Sequence, residues 1–353
     1  MSCKLSGIMP NGSGINRNNT PMSTKIIEKP INPKFPSGNL FPFLDTLAQL
    51  RKSDKKSGKN TLKRRAVAKF LTNEMLYGLV DQDSTLKPSY WNSFHCSNSL
   101  MQDGKKITGK YCNNRWCSVC NRIRTAKLIN GYLPTIKKEI TAPFFVTLTI
   151  PSVGGDELKA TIRQMIVSFA RIKDVFRHKR TELRGIRKIE CTYNARENSY
   201  HPHFHFIIDG EPAAAELINA WLKAYPEAKR VAQDMRPADQ GSIMELFKYT
   251  TKLITKSDIK REDGKTEITI RPKALDIIFK ALYKVRTFQP LGGIKKVPVK
   301  EDIEELQAEI FDDLSALTVE VWGWEQKISD WISADGECLT GCEAHKHYKV
   351  LKR

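Results

Sequence analysis

The chain of 353 residues lacks several features that would place it in common protein classes. No stretch approaches the ~18 consecutive apolar residues of a membrane-spanning helix, so we expect no membrane association. The first 30 residues are polar and have no apolar core, which argues against a secretory signal and predicts a cytoplasmic protein. A glycine-rich loop ending in Lys-Ser or Lys-Thr is also missing, so we expect no built-in nucleotide-driven motor.

Acidic residues are scarce relative to basic ones. The chain has 58 Lys and Arg against 39 Asp and Glu, which gives a formal net charge of +19. Such a charge favours polyanionic partners, because lysine and arginine neutralise phosphates and release their counterions. The charge therefore indicates a nucleic-acid partner; a basic protein without that role, or one bound to ribosomes, is the alternative.

Histidine is rare too, yet three of the seven histidines lie within five positions. His201, His203 and His205 alternate along a predicted strand and share one face, whereas Phe204 and Phe206 point to the other. Neutral imidazole is a common metal ligand, and two imidazoles two residues apart can chelate one ion. The pattern predicts a metal site; the alternative is a set of hydrogen-bonded core histidines.

The eight cysteines of a chain expected in the cytoplasm indicate metal ligands or free thiols rather than disulfides. Cys117-x-x-Cys120 forms a chelating pair, and Cys112 and Cys96 are the further candidate ligands. Four thiolates would close a tetrahedral structural Zn²⁺ site; reduced free cysteines are the alternative. The nearby Arg115, Arg122 and Arg124 suit a DNA-facing or an interface element.

A second set of potential ligands lies near the C-terminus. Its members are Cys338, Cys342, His345 and His347. We expect incidental ligands on a frayed tail, with a zinc site as the alternative.

The order of predicted elements favours an α+β fold. We predict a flexible basic tail over 1–60, a helical and Cys-rich region over 61–140, a catalytic domain over 141–260 and a C-terminal helical region over 261–353. The predicted strands cover 144–150, 185–193, the histidine strand and 230–235, and the predicted helices cover 156–178, 211–224, 242–256 and 272–287. This βαββαβα order predicts a ferredoxin-like or RRM-like central antiparallel sheet with helices on one side, a Cys-rich zinc-like element before it and a helical appendage after it.

The two strands before and after residues 194–200 are expected to pair as a hairpin. A loop centred near residues 197–198 puts Glu190 opposite His205 and Thr192 opposite His203. Glu190 is then the third ligand of an octahedral ion such as Mn²⁺ or Mg²⁺. His201 is the competing third ligand, because a slip of one residue would move Glu190 to the other face.

The predicted helix over 242–254 carries a tyrosine on its polar side. Its apolar face includes Ile243, Leu246 and Phe247, and the opposite face carries Glu245, Lys248, Tyr249 and Lys252. Tyr249 is therefore a candidate nucleophile. A lysine can stabilise phenolate or phosphate, and a glutamate can activate water.

Taken together, these motifs resemble those of the rolling-circle replication initiators of bacterial plasmids, which are HUH (His-hydrophobe-His) endonucleases. Residues 145–149 are similar to the family's first motif, His203-Phe204-His205 to the HUH motif, and residues 249–252 with Glu245 to the tyrosine motif. Residues 112–124 resemble a cysteine–arginine region, and 282–286 before Gly292 a segment that follows the catalytic motifs. The resemblance covers about residues 95–295.

The resemblance implies a nickase. His203 and His205, with Glu190, would hold Mn²⁺ or Mg²⁺ against the scissile phosphate. Tyr249 would attack in line, leaving a 5′-phosphotyrosine and a free 3′-OH that primes replication. Glu245 would activate water at termination, and Lys252 would contact phosphate or stabilise the phenolate. No second tyrosine lies three or four residues from Tyr249, which disfavours a two-tyrosine mechanism.

The implied substrate is single-stranded or hairpin origin DNA in the bacterial cytoplasm, with a host helicase and polymerase as partners. Lys248 and the three arginines are expected to contact this DNA. Tyr200, Trp221 and Tyr225 are candidates for stacking on unpaired bases, with core packing as the alternative for Trp221.

Three other functions compete with this interpretation. A transposase or relaxase would use the same motifs, although relaxases place the tyrosine before the histidine pair. A zinc hydrolase would use His201, His203 and His205 to bind hydroxide. A non-enzymatic DNA-binding protein with a structural zinc would not depend on Tyr249.

Overall fold

The helices and strands of the chain follow the spacing of its apolar residues. The computed structural model describes residues 58–103, 106–179, 181–247, 259–262, 265–298 and 320–352, all within the unit 41–353. The helices are α1 (Gly58–Val80), α2 (Lys87–Phe94), α3 (Ser118–Glu139), α4 (Leu158–His178), α5 (Glu211–Ala224), α6 (Gln240–Phe247), α7 (Pro272–Leu282) and α8 (Ala344–His347). The strands are β1 (Ser99–Asp103), β2 (Lys106–Gly109), β3 (Pro143–Thr149), β4 (Gly185–Asn194), β5 (Ser199–Asp209), β6 (Asp234–Pro237), β7 (Ile259–Glu262), β8 (Lys265–Ile270), β9 (Phe288–Leu291), β10 (Glu320–Glu325), β11 (Asp330–Ile332) and β12 (Tyr348–Lys352).

The predicted basic tail over 1–60 lies outside the described residues, apart from the three residues that begin α1. None of the described helices combines the length and the apolar character that crossing a bilayer requires.

A five-stranded antiparallel sheet in the order β6-β3-β5-β4-β9 occupies the centre of the fold. Its long strands β3, β4 and β5 are rich in aromatic and β-branched residues, which suit a pleated and buried surface. Strand β5 lies between β3 and β4, so both neighbours can place side chains beside its histidines. The α+β prediction is confirmed in its general form: the described residues form helices together with sheets. The paired strands of these sheets are antiparallel, apart from the parallel pair β8–β12.

Helices α4, α5 and α7 contribute to one large apolar core with the first face of this sheet. In α4 the buried residues recur every three or four positions, from Leu158 to Phe176, so they form one stripe along the helix. Phe204, Phe206 and Ile208 of β5 are fully buried in the same cluster. This apolar face fixes which way β5 turns, and the alternate residues of β5 must therefore point to the second face.

The prediction that the helices cover only one side of the sheet is wrong. Helices α3 and α6 lie on the second face, where Ile136, Ile243, Leu246 and Phe247 join a separate core cluster. Their partners in the sheet are Phe145, Ile186 and Ile207. The physical reason is that the second face is apolar at one end and polar at the other, and the apolar end needs a cover.

The largest differences from the predicted elements lie in the second half of the sheet. Residues 230–232 form a 3₁₀ turn rather than the start of a strand, and β6 begins only at Asp234. Val231 in this turn is 92% exposed. Helix α7 ends at Leu282, and Lys284 adopts a positive φ of 59°. The following strand β9 pairs with β4 at the edge of the sheet. This strand is not among the predicted elements, because four residues are too few to show a clear strand pattern.

The predicted C-terminal helical appendage is also wrong for the residues that the structure describes there. Residues 320–352 contain three strands and one short helix, whereas 299–319, which carry the acidic amphipathic pattern, lie outside the described residues. Strand β10 pairs with β1 in a sheet ordered β11-β10-β1-β2. Trp322 and Trp331 are buried in its core, so this segment folds by tertiary burial of two tryptophans rather than by helical periodicity.

Candidate metal centre and tyrosine helix

The histidine strand presents its imidazoles on the second face of the central sheet, as its alternation predicts. His203 lies opposite Glu190 and His201 lies opposite Thr192 in the β4–β5 ladder. The predicted register, with Glu190 opposite His205, is therefore wrong by two residues. Because two residues are one full period of a strand, Glu190 still points to the histidine face.

Glu190, His203 and His205 come together as a buried cluster. The carboxylate is 0% exposed, and the two imidazoles are 5% and 7% exposed. The Nε2 atoms of His203 and His205 lie 3.6 and 3.7 Å from the same Glu190 oxygen, Oε2. These separations are longer than hydrogen bonds, and one ligand atom from each residue falls within 4.8 Å of the others, a spacing that fits an ion between them.

Hydrogen bonds fix how the two imidazoles are turned. The Nδ1 atom of His203 is 3.0 Å from the carbonyl oxygen of His201, which can only accept, so Nδ1 carries the proton. When this imidazole is neutral, its Nε2 lone pair therefore faces Glu190. The Nδ1 atom of His205 is hydrogen-bonded to Thr147 Oγ1 at 3.1 Å. Such second contacts orient imidazoles that bind metal.

Protonation also suits a metal ligand set. Burial alone would raise the pKa of Glu190, but its interactions with His203 and His205 and the charge of Lys188 together hold this pKa well below its usual range. Burial lowers the pKa of His205, which keeps this imidazole neutral. An ionised carboxylate and neutral imidazoles are the forms that bind a divalent cation.

His201, the competing third ligand, does not join this group. Its ring stacks against the His203 ring with centroids 5.3 Å apart, and it is half-buried. Within the described residues, the cluster offers two imidazoles and one carboxylate.

Lys188 also lies at this site, although it is not among the predicted site residues. Its side chain is fully buried on the same face, opposite His205, and its ammonium group forms an ion pair with Glu190 Oε1. The same group donates a hydrogen bond of 2.8 Å to the backbone oxygen of Glu245 in α6. The alternation of β4, which puts 188 and 190 on one face, was the signal that could have identified it.

Helix α6 carries the first part of the tyrosine motif. Ile243, Leu246 and Phe247 are buried as predicted, and Glu245 is half-buried. The motif's remaining predicted site residues, Lys248, Tyr249 and Lys252, lie outside the described residues. Within the described residues, Glu245 lies beside the candidate metal cluster, because its backbone oxygen accepts a hydrogen bond from Lys188.

The four predicted zinc ligands converge around the start of α3. One sulfur from each of Cys96, Cys112, Cys117 and Cys120 lies within 4.8 Å of the others. The sulfurs of Cys96 and Cys120 are 3.5 Å apart, and those of Cys112 and Cys120 are 3.6 Å apart. The amide of Asn114 donates to the Cys112 sulfur, which is a favourable contact for a thiolate. Hydrogen bonds from the neighbouring cysteines, chiefly Cys117, hold the pKa of Cys112 well below its usual range.

The three arginines predicted to contact DNA lie in different surroundings. Arg115 is part-buried and donates to the backbone oxygen of Val285. Arg124 donates to the backbone oxygen of Asn113 and to the side chain of Asn121. Only Arg122 of these three has an exposed side chain.

The aromatic residues considered for base stacking are core residues. Tyr200, Trp221 and Tyr225 are 2%, 0% and 5% exposed, so the prediction that they bind unpaired bases is wrong. Trp221 packs edge-on against Phe204 of the core face, so the alternative prediction of core packing is confirmed for this residue.

The C-terminal Cys/His set does not form a ligand cluster. Cys338 is exposed and Cys342 is buried, and His345 is hydrogen-bonded through Nδ1 to Ser329 Oγ. Within the part of the chain that the structure describes, only the two clusters above bring three or more candidate ligands together. The segment is nevertheless folded through Asp330, which accepts from the amides of Thr340 and Cys342, so the expectation of a frayed tail is wrong.

Comparisons with known proteins agree with the class that these clusters indicate. Residues 104–212 match the family model described as "Replication protein". The chain is 35% identical to "Protein rep" of Streptococcus pneumoniae over 105 residues, which are 28% of this chain and 32% of the relative. It is 27% identical to "Protein rep" of Bacillus sp over 196 residues, 46% of this chain and 62% of the relative. It is 32% identical to "Protein rep" of Staphylococcus aureus over 119 residues, 32% of this chain and 51% of the relative.

These matches confirm the resemblance to plasmid rolling-circle replication initiators. The chain spans about a third to three fifths of the length of the relatives named above. The family-model match contains Glu190, both histidines and three of the four clustered cysteines, and it ends before α6. No significant match was found among solved structures.

Proposed function

We propose that the chain initiates rolling-circle replication of a plasmid by nicking single-stranded or hairpin origin DNA. The observation that carries this proposal is the cluster of Glu190, His203 and His205 with helix α6 docked beside it. The resemblance to replication proteins supplies the substrate class, and the net charge of +19 suits binding to DNA. Catalysis would occur in the region 141–260, in a ferredoxin-like arrangement of the central sheet.

Glu190, His203 and His205 are proposed to hold Mn²⁺ or Mg²⁺. When bound, such an ion polarises the phosphoryl oxygens and neutralises charge that develops on them. The donor set fits, because two neutral imidazoles and one carboxylate leave coordination positions for a phosphate. A zinc hydrolase built on three histidines is less well supported, since His201 lies outside the cluster.

The proposed reaction is a transesterification. The phenolic oxygen of Tyr249 forms a bond to the scissile phosphorus while the bond from phosphorus to the 3′ oxygen breaks. The 3′ oxygen takes up a proton and becomes the hydroxyl group that primes synthesis, and the 5′ end stays attached to Tyr249. Lys252 stabilises the phenolate. At termination Glu245 takes a proton from a water molecule whose oxygen forms a bond to the phosphorus of the last scissile phosphate, while the bond from that phosphorus to the 3′ oxygen breaks and the 3′ oxygen takes up a proton.

The Cys96, Cys112, Cys117 and Cys120 cluster is proposed to bind a structural Zn²⁺. Four sulfurs complete a tetrahedral shell and leave no position for substrate. Arg122 and Lys248 are proposed DNA contacts. A host helicase, a host polymerase and the bacterial cytoplasm complete the setting of the proposed reaction.

The decisive experiment looks for a covalent protein–DNA adduct. Single-stranded oligonucleotides that tile the plasmid origin are incubated with the protein and Mn²⁺, and adducts are separated on a denaturing gel and located by mass spectrometry. We expect an adduct on Tyr249 that is absent in Tyr249→Phe and in EDTA. Tyr77→Phe, a change at a partly exposed tyrosine outside the motif, is the matched control and keeps the adduct.

Other outcomes would favour other functions. Hydrolysis of small phosphate esters with Zn²⁺ and no adduct would favour the hydrolase. An adduct formed on a transfer origin or a transposon end, but not on a replication origin, would favour a relaxase or a transposase. DNA binding that Tyr249→Phe leaves unchanged, without any cleavage, would favour a non-enzymatic DNA-binding protein.

A further inference from the structure

Lys188 occupies an unusual place for a lysine, because its side chain is fully buried in the sheet face that carries the metal cluster. A buried ammonium group is costly unless it has acceptors that replace water. Lys188 has two such acceptors from different elements, Glu190 Oε1 on its own strand and the Glu245 backbone oxygen on α6.

Because of the first contact, the two oxygens of the Glu190 carboxylate have different partners. Oε1 pairs with the Lys188 ammonium, and Oε2 faces the Nε2 atoms of His203 and His205. An ion bound among these residues would therefore meet Oε2 of the carboxylate, the oxygen that faces both imidazoles. The lysine charge also opposes the charge of that ion, so Lys188 lowers the metal affinity of the site.

The second contact ties α6 to the metal site. The oxygen that Lys188 holds belongs to Glu245, four residues before Tyr249 in the chain. Phe247 and Leu246 bury the apolar side of α6, but apolar packing is not directional. The hydrogen bond from Lys188 is directional and sets where along the sheet the helix lies.

We propose that Lys188 is a positioning residue that fixes helix α6, whose Glu245 lies four residues before Tyr249 in the chain, against the metal centre and leaves Glu190 Oε2 facing the ion. It does not touch DNA; it acts through Glu190 and the backbone of α6. This inference deepens the proposed function and, for its cleavage readout, rests on it.

The test compares Lys188→Met, which removes the charge and both contacts, with Lys188→Arg, which keeps a buried cation. Mn²⁺ affinity is measured by the electron paramagnetic resonance of free Mn²⁺, and single-turnover cleavage is measured at saturating Mn²⁺. We expect Lys188→Met to bind Mn²⁺ about threefold tighter or more, because an opposing charge is gone. We expect its cleavage rate to fall about 10- to 100-fold, because the helix loses its register. Lys188→Arg should keep a cleavage rate well above that of Lys188→Met.

Arg187→Met is the matched control. Arg187 is the adjacent buried cation of β4 and points to the opposite face, where its guanidinium lies between the Phe169 and Phe204 rings. Its loss lowers stability, and we expect Mn²⁺ affinity and cleavage by the folded fraction to stay at the wild-type level.

The two readouts separate this inference from the proposed function. Tighter Mn²⁺ binding together with slower cleavage supports the role of Lys188, whereas unchanged cleavage at saturating Mn²⁺ overturns it. Parallel loss of affinity and cleavage would show a merely structural lysine and would also overturn it. If the wild-type protein cleaves no DNA, the proposed function fails, and Mn²⁺ affinity alone decides whether Lys188 opposes the ion.

If Lys188→Met does not fold, Lys188→Gln replaces it. This variant keeps a donor for the Glu245 oxygen but carries no charge. Tighter Mn²⁺ binding with cleavage faster than the metal-site variant Glu190→Gln supports the inference. Unchanged or weaker Mn²⁺ binding contradicts it.

Discussion

Glu190 is the residue on which the candidate metal centre depends most. Its carboxylate is fully buried, and one oxygen faces both imidazoles while the other pairs with Lys188. At such a site a neutral amide of the same shape loses the charge that attracts the ion and leaves the lysine charge uncompensated. We therefore expect Glu190 to contribute both to binding of the proposed ion and to the stability of the fold.

Glu190→Gln is expected to weaken Mn²⁺ binding by about tenfold or more and to slow adduct formation, because the anionic ligand is gone. It should also lower the free energy of unfolding by about 3 kcal/mol, since a buried ion pair loses one partner. Calorimetric titration with Mn²⁺ and thermal unfolding measure the two effects. Glu197→Gln, an exposed change in the hairpin turn, should alter neither, and equal Mn²⁺ affinity in both variants would remove Glu190 from the site.

Gly185 controls the start of β4, which delivers Glu190 and Lys188. Its φ is +152°, and an added Cβ would lie 1.9 Å from the backbone oxygen of Ile207. A backbone oxygen on the neighbouring strand cannot move aside without breaking the ladder.

Gly185→Ala is therefore expected to lower the free energy of unfolding by about 2–4 kcal/mol, through strain and the clash together. Chemical denaturation monitored by circular dichroism measures the change. Gly336→Ala is the matched control, since its φ is also positive, at +84°, but no atom lies within 4 Å of the added Cβ. If Gly185→Ala lowers the free energy of unfolding by no more than Gly336→Ala does, the predicted clash is contradicted.

At the scale of elements, the cysteine cluster joins the segment after α2 to the first turn of α3. Cys117 is the residue that precedes α3, and Cys120 lies inside its first turn. Both are buried, as is Cys96, which lies two residues after the end of α2. A bound ion would thus fix the start of α3, whose far end covers the second face of the sheet at Ile136.

Cys117→Ser is expected to abolish binding of one Zn²⁺ per chain and to lower the midpoint of thermal unfolding, because structural zinc contributes folding energy directly. Metal content measured by atomic emission, with and without a chelator, checks the first effect. Cys338→Ser changes an exposed cysteine outside the cluster and should retain the metal. A Cys117→Ser protein that keeps both its zinc and its melting point would show that these are free thiols.

For the whole molecule, the net charge of +19 is the property that would govern the proposed binding to DNA. Arg122 is exposed, whereas Arg115 donates to the backbone oxygen of Val285. Of these two arginines, Arg122 is therefore the one we expect to contact phosphate, and Arg115 the one we expect to stabilise the fold.

The logarithm of the binding constant for single-stranded DNA should fall linearly with the logarithm of the salt concentration. Arg122→Ala should make this slope less steep by about 0.7, the contribution of one phosphate contact. Arg115→Ala should instead lower thermal stability and leave the slope unchanged. Fluorescence anisotropy over a salt series measures the slopes. A slope that falls for Arg115→Ala and not for Arg122→Ala would reverse the assignment.

The elements whose chemistry is local could be predicted from the amino-acid sequence. Alternation at 201–205 was enough to put three imidazoles on one face, and the period of α4 was enough to define its buried stripe. The positions of the cysteines in the sequence were enough to predict all four members of the sulfur cluster. Periodicity works in these cases because a strand or a helix fixes side-chain direction before any tertiary contact forms.

Which of these faces meet depends on contacts between distant segments. The turn after Asn194 sets the register of β4 against β5, so that Glu190 lies opposite His203. Of the two candidate third ligands, Glu190 rather than His201 joins the cluster with His203 and His205. Three further features join residues that no local pattern links. Helices α3 and α6 pack on the second face of the sheet, β1 pairs with β10, and Lys188 contacts both Glu190 and α6. Long-range pairs depend on how the whole chain excludes water, and that is a property of the fold rather than of any one segment.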